Sequence, residues 1–150
     1  MAESPSATCI HNYGSKALNK MIQKLSATSD ARRRYEYVLW LAKKLPDLPK
    51  ECRTESTKVK GCVSQVFVLA KLSKGCLKWQ GYSDALITKG LLAFLINGLN
   101  DLTPNEVSNI NPDFITATGL QGSLTPSRAN GFLNIFMMMQ SQAKDLALKN

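Results

Sequence analysis

The chain carries four cysteines, Cys9, Cys52, Cys62 and Cys76, and a single histidine, His11, among its 150 residues. No two cysteines form a C-x-x-C pair, and their spacing matches no zinc-ligand pattern. A disulfide framework is a poor interpretation, because no secretory signal is evident and the chain is long enough to be stabilised by its core. We therefore expect reduced thiols in a reducing compartment, with no metal and no other cofactor.

Cys62 lies in the segment KVKGCVSQVFVLAKL, residues 58–72, directly after a glycine and directly before an apolar run. A nucleophilic cysteine in an enzyme normally needs a base to take its proton, most often a histidine. His11 is predicted to lie in a polar N-terminal tail, which argues against cysteine-protease chemistry. The single histidine and the lack of clustered carboxylates likewise argue against metal-dependent or general acid–base hydrolysis.

One chemistry needs only a single thiol, namely exchange with a sulfur atom that another protein carries. Gly61 permits a sharp turn and leaves the backbone open to an approaching partner. The charges of Lys58 and Lys60 could favour the thiolate of Cys62. On the residues alone, however, a cysteine at the start of a strand is more often a packing residue. Both interpretations remain open at this point.

The net charge is +8 and the pI is near 9.5, values that suit nucleic acid or an acidic protein as a partner. The basic residues are spread along the chain without interleaved aromatics, so a solvated basic surface explains the charge equally well. The longest apolar run, residues 90–96, is too short to cross a membrane. We predict no membrane or nucleic-acid partner and keep a nucleic-acid-binding adaptor as an alternative function.

Hydrophobic periodicity and turn residues predict one β-hairpin between two groups of helices. Such an order of elements indicates an α+β domain of two layers, with a small antiparallel sheet packed against several helices. The predicted elements are a helix over 12–25, a helix from a cap at Ser29 or Asp30 to Pro46, strands over 63–72 and 77–80, a helix from Ser83 to Gly98, and three helices starting at Pro104, Pro112 and Pro126.

Several helix ends carry recognisable signals. Ser83 is predicted to cap its helix, with Asp84 in the first turn and Gly98 at the C-terminal stop. Residues 103–106, TPNE, form a complete capping-box pattern with proline at the first helical position. The last helix is predicted to be long, with an inner face made of Phe132, Leu133, Phe136, Met139 and Ala143.

Three separated segments resemble one known family in the order in which that family has them. KVKGCVSQVFV, GYSDALITKGLLAFLINGL and SLTPSRANGFLNIFMMMQ resemble the sulfur acceptor protein SufE and its relative CsdE, and RYEYVLWLAKKLPDLP is similar to the family's second helix. The resemblance covers roughly residues 15–147, so we expect a flexible tail over 1–14 and a SufE-like domain over 15–150.

The resemblance implies the SufE fold, which is similar to that of the IscU-type scaffold. It also implies a function. SufE-like proteins take sulfane sulfur from the cysteine persulfide of SufS, a pyridoxal-phosphate cysteine desulfurase, and thereby stimulate that enzyme. They hold the sulfur as a persulfide on their own cysteine, which falls on Cys62 here, and pass it to the iron–sulfur scaffold complex that contains SufB.

The resemblance assigns weaker roles to the residues around Cys62. Gly61, Val63, Ser64 and Gln65 match the loop that exposes the sulfur to the desulfurase. In the family, this loop can tuck the cysteine into an apolar cavity and swing it out on docking. Asp84 and Arg128 match family positions near the loop, where Arg128 either contacts a partner or has a structural role at the start of a helix.

One departure from the family is Tyr82, since GYSDA stands where the family usually has GDSDA. The sequence is most like the plant-plastid and cyanobacterial branch, which implies the plastid stroma, with mitochondria as a second site, for a plant source and the cytoplasm for a bacterial one. An iron–sulfur scaffold of IscU type is a further alternative, although Cys9, Cys52 and Cys76 lack the motifs of that family.

Overall fold

The computed structural model describes residues 12–149 and has an α+β fold, as predicted. Short 3₁₀ helices connect several of its elements. The elements are α1 Lys16–Ser26, α2 Ala31–Leu41, the 3₁₀ helices Ala42–Lys44 and Lys50–Cys52, β1 Val66–Ser73, β2 Cys76–Ser83, α3 Leu86–Leu99, α4 Pro104–Ser108, α5 Phe114–Ala117, the 3₁₀ helix Leu120–Ser123, and α6 Pro126–Lys149.

β1 and β2 form an antiparallel hairpin in which Ser73 pairs with Cys76. Both residues of the intervening turn have positive φ, 54° at Lys74 and 82° at Gly75, which matches the right-handed twist of a tight hairpin. The side chains alternate along each strand as predicted. Val66 and Val68 on β1 are buried, and the sheet therefore has one face against the core.

The two helices before the hairpin begin and end at residues that their sequences explain. Ser15 caps α1, and Asp30 caps α2 by accepting a hydrogen bond from the Arg32 backbone, which resolves the predicted choice between Ser29 and Asp30. Leu18 and Leu25 lie on the buried stripe of α1, as the periodicity predicts. The capping box of α4 is also confirmed, with both of its reciprocal hydrogen bonds present.

α3 is an apolar helix that is buried on nearly every side, and it packs against β2, α1, α2 and α6. Its predicted ends were wrong. Ser83 belongs to β2, and α3 begins at Leu86 without a side-chain cap. Gly98 lies inside the helix, where a Cβ atom would come within 2.9 Å of the Leu18 side chain. This glycine is therefore explained by the close approach of α1.

α6 is the longest helix of the described residues, and it connects the sheet to the rest of the core. Its buried face contains Phe132, Phe136, Met139 and Ala143 as predicted, together with Ile135. The prediction for Leu133 was wrong, because helical spacing places this residue on the outer side, 36% exposed. Further along α6, the amide of Gln142 hydrogen-bonds the β1 backbone, at Val68 O and Ala70 N.

The predicted tail covers residues 1–14, and the structure describes only its last part, from residue 12 on. Residues 1–11 lie outside the described residues, whereas Tyr13 packs against the core and its backbone N–H donates to Asn19 Oδ1. Across residues 12–149, no helix combines the length and the apolar character that crossing a membrane requires.

Candidate functional site

Cys62 lies in a loop between the hairpin and the preceding turn, and residues 61–65 are called the Cys62 loop below. Its side chain is half-buried against α6. The thiol is positioned to donate a weak hydrogen bond to the carbonyl oxygen of Gly131, with the sulfur 3.8 Å from that atom. A Cβ atom on Gly131 would lie 3.6 Å from the sulfur, so this glycine lets the thiol rest directly on the helix.

Gly61 fixes the backbone just before Cys62. Its φ of +81° falls in the left-handed region, which glycine adopts without a steric penalty. The side-chain amide of Asn134 donates a hydrogen bond to Gly61 O at 3.1 Å, and a Cβ atom on Gly61 would lie only 2.7 Å from Asn134 Nδ2. The sequence therefore needs glycine at this position both for the backbone conformation and for the approach of α6.

Asp84 holds the other end of the Cys62 loop. Its carboxylate accepts a hydrogen bond from Gln65 N at 3.0 Å, and its own backbone N–H donates to Gln65 O. These bonds engage Gln65 outside the β1–β2 ladder, which begins at the pair Val66 and Ser83. The predicted strand start at Val63 was therefore wrong, and the three residues after Cys62 belong to the loop.

A space of about 20 Å³ adjoins the thiol, roughly the volume that one water molecule needs. It is lined by residues from the Cys62 loop, from α3 and from the first turns of α6, namely Cys62, Val63, Ser64, Thr88, Ser127, Arg128 and Gly131. Arg128 thus lies beside the loop. Val63 is 90% exposed, so an apolar side chain next to the cysteine faces solvent.

Burial raises the pKa of the Cys62 thiol above its ordinary value. The expected help from Lys58 and Lys60 was wrong, because both lysines act on Glu55 instead. A hydrogen bond from Lys60, at 3.0 Å, and the nearby charges of Lys60 and Lys58 lower the pKa of that carboxyl group. In the observed position, burial therefore favours the protonated thiol.

The other cysteines of the described residues lie apart from this arrangement. Cys52 ends a 3₁₀ helix and Cys76 starts β2, and both are free thiols that are partly buried. Within residues 12–149, no three His, Cys, Asp or Glu side chains converge as metal ligands would. Cys9 and His11 lie outside the described residues.

Tyr82 occupies the position where the family usually has an acid. Its ring lies across the hairpin from Phe67, with the ring centroids 6.4 Å apart, and the Arg53 guanidinium lies 3.6 Å from its centroid. A cation–π contact therefore takes the place of any carboxylate contact at this position.

The sequence did not predict two α6 residues that contact the Cys62 loop, Gly131 and Asn134. Asn134 lies one helical turn after Gly131, so both residues face the Cys62 loop. The spacing of a glycine and an asparagine on a helix signals nothing by itself, since the partner is 73 positions away along the chain.

The model of the protein family described as "SufE: Fe-S metabolism associated domain" matches residues 19–143, which is most of the chain. The chain belongs to the SufE family. A SufE-like protein of the cyanobacterium Synechocystis, itself uncharacterized, is 53% identical over 84% of this chain and 79% of its own length. The fold and the motifs of the family are thus present together in this SufE-family chain.

Two named relatives come from a plant and a parasite. The chloroplastic/mitochondrial SufE-like protein 1 of Arabidopsis thaliana is 37% identical over 88% of this chain, and the cysteine desulfuration protein SufE of Plasmodium vivax is 36% identical over 83%. The matches span only 36% and 51% of those proteins. A solution structure of a hypothetical protein from Thermus thermophilus shares the fold, with a TM-score of 0.78, 24% identity, and coverage of 91% of this chain and 98% of that one.

Proposed function

We propose that this SufE-family chain is a sulfur acceptor in iron–sulfur metabolism and that Cys62 carries the sulfur. The observation that carries the proposal is the placement of Cys62 on a short loop, with space for about one additional atom beside its sulfur. A persulfide adds one sulfur atom to the thiol. The name of the Plasmodium relative, a cysteine desulfuration protein, supports the same chemistry.

The proposed transfer is a thiol exchange. The Cys62 thiolate attacks the outer sulfur of a persulfide on the catalytic cysteine of a SufS-type desulfurase. A bond forms between Cys62 Sγ and that sulfur, the sulfur–sulfur bond of the desulfurase breaks, and the desulfurase cysteine leaves as a thiolate. The number of sulfur–sulfur bonds is unchanged, so the step needs no external oxidant or reductant.

The exchange requires Cys62 to leave the observed position. There the thiol is half-buried, which raises its pKa, and it donates a weak hydrogen bond to a backbone carbonyl; both effects disfavour the attacking thiolate. We therefore propose that docking of the desulfurase draws the Cys62 loop outward. Returning the loaded cysteine to the space beside Gly131 would then shield the persulfide from oxidation.

The residues around Cys62 have separate roles in this proposal. Gly61 and Gln65 are the two ends at which the loop is held, and Asp84 holds the second end. Val63 is the exposed apolar contact for the desulfurase. Ser64 and Arg128 line the space beside the thiol, where a guanidinium favours an anionic persulfide.

Delivery completes the proposed cycle. A thiol of the SufB-containing scaffold takes the outer sulfur from Cys62 by the same exchange, which returns Cys62 to a thiol. Removal of the persulfide from the desulfurase stimulates that enzyme, because its cysteine is freed for another turnover. We propose the plastid stroma as the compartment, with mitochondria as a second site, if the source is a plant, and the cytoplasm if it is a bacterium.

The decisive experiment incubates the full chain with a SufS-type desulfurase and cysteine, traps thiols by alkylation, and identifies modified peptides by mass spectrometry. We expect one added sulfur atom on the peptide that contains Cys62, only when the desulfurase is present. Cys62→Ser should abolish both the added sulfur and the stimulation, whereas Cys52→Ser should retain them. Sulfur that accumulates on the desulfurase while Cys62 remains an ordinary thiol would contradict the proposal.

A further inference from the structure

We infer that Asn134 is a positioning residue, which holds the Cys62 loop in its closed position and thereby sets how often the Cys62 thiol is exposed. The closed position is the one described above, in which Cys62 Sγ lies 3.8 Å from Gly131 O. The reactivity of the Cys62 thiol reports this exposure and can be measured without any partner protein.

The first observation is the contact itself. Asn134 Nδ2 donates to Gly61 O at 3.1 Å, so the helix holds the backbone of the residue directly before Cys62. Gly131, one helical turn earlier, supplies the carbonyl oxygen that accepts a weak hydrogen bond from the thiol. The same face of α6 therefore contacts two consecutive residues of the loop, Gly61 and Cys62. Among the described residues, Asn134 is the only α6 residue whose side chain hydrogen-bonds either of them.

As a second observation, the backbone conformation of Gly61 and its lack of a Cβ atom fit the side chain of Asn134. Gly61 has a φ of +81° in the left-handed region, its carbonyl oxygen accepts a hydrogen bond from Asn134 on α6, and its missing Cβ leaves room for Asn134 Nδ2, which lies 2.7 Å from where that atom would be. The glycine and the asparagine are therefore complementary. A side chain at position 61 would displace Asn134 and break the hydrogen bond.

The third observation concerns how few contacts hold the loop. Asp84 anchors Gln65 at the far end, Val63 between the two ends is exposed, and Lys60 before the loop pairs with Glu55 rather than with α6. Opening near Cys62 therefore requires the loss of the Asn134 hydrogen bond and of the weak contact from the thiol. A segment held by so few contacts opens locally without global unfolding.

Alkylation of the reduced full chain by iodoacetamide tests the inference, with the rates at Cys62 and Cys52 measured on separate peptides. Asn134→Ala should raise the alkylation rate of Cys62 about fivefold. The reason is that losing one neutral hydrogen bond, worth about 1 kcal/mol net, raises the equilibrium constant for loop opening by that factor. The Cys52 rate should not change, because Cys52 lies outside the loop. The ratio of the two rates separates local opening from a general loss of stability, which would raise both.

Two further variants make the test specific. Asn130→Ala introduces the same change one turn earlier on α6, at an exposed asparagine for which the described residues show no partner, and it should leave the Cys62 rate unchanged. Asn134→Leu keeps the branching of the side chain but removes its donor, so it should behave like Asn134→Ala. An unchanged ratio in Asn134→Ala, an equal rise in Asn130→Ala, or full protection in Asn134→Leu would overturn the inference.

A consequence follows if the proposed function also holds. Asn134→Ala should accept sulfur from the desulfurase faster, and its persulfide should be lost faster to added hydrogen peroxide, because the loaded cysteine spends more time exposed. This consequence rests on the proposed function, whereas alkylation does not. Altered alkylation without sulfur loading would therefore retain the role of Asn134 and refute the function.

Discussion

Replacing Gly61 by alanine should lower the free energy of unfolding more than the same replacement at Gly75 or Gly122. The surroundings of the three glycines explain the difference. Gly61 combines a positive φ with a close neighbour, since its Cβ atom would lie 2.7 Å from Asn134 Nδ2. Gly75 has a similar φ of +82° in the hairpin turn, with nothing within 4 Å of its Cβ position. Gly122 has open space and no positive φ.

The expected magnitudes follow from these differences. A left-handed backbone costs an alanine about 1–2 kcal/mol, which applies at positions 61 and 75. At position 61 the displaced Asn134 also loses a hydrogen bond worth about 1 kcal/mol, for a total of about 2–3 kcal/mol. Each of the three substitutions also reduces the conformational entropy of the unfolded chain, which stabilises the folded state by a similar amount. Gly122→Ala shows this effect alone, so the costs at positions 61 and 75 are measured relative to it.

Urea unfolding followed by circular dichroism measures these costs. With a slope of about 2–3 kcal/mol/M, Gly61→Ala should lower the midpoint by about 1 M relative to Gly122→Ala, and Gly75→Ala by about half as much. Equal effects at positions 61 and 75 would show that the contact with Asn134 costs nothing to displace. A Gly61→Ala midpoint equal to that of Gly122→Ala would refute the described geometry of the loop.

Three further predictions concern the loop, its thiol and the core. Asp84→Ala should speed amide exchange at Gln65 about fivefold by removing its acceptor, whereas Asp84→Asn, which keeps an oxygen at that place, should change it little. The pH midpoint for alkylation of Cys62 should be higher in the folded chain than in urea, because burial raises the pKa of the thiol. The folded state then binds the proton more tightly, so stability should fall as pH rises from the pKa of the unfolded thiol to the higher pKa of the folded one. Equal alkylation midpoints would contradict this. Phe136→Ala should lower the free energy of unfolding by about 3–5 kcal/mol, and Met137→Ala, at a 56% exposed position, by less than about 0.5 kcal/mol; similar losses in urea unfolding would contradict the assigned face of α6.

The sequence alone determined the features that depend on residues close together in the chain. Helical periodicity identified α1 and the buried face of α6, and the turn residues at 73–75 identified the hairpin. The capping box at Thr103 was recognisable because its donors and acceptors lie within one helical turn. Local chemistry marked Cys62 as a thiol that could take part in sulfur exchange, and the resemblance of three separated segments to one family made it the leading candidate.

Only the tertiary structure decided what surrounds Cys62. The contacts of its loop come from Asp84 and from Asn134 and Gly131 on α6, residues that no short-range pattern connects to it. Packing against α6 buries the thiol and raises its pKa, which overrides the expectation from nearby lysines, because a charge influences the group that it faces rather than the one that it follows in sequence. Local sequence patterns therefore predict the order of helices and strands. The position and protonation of the Cys62 sulfur instead depend on which residues, far apart in sequence, the fold brings together.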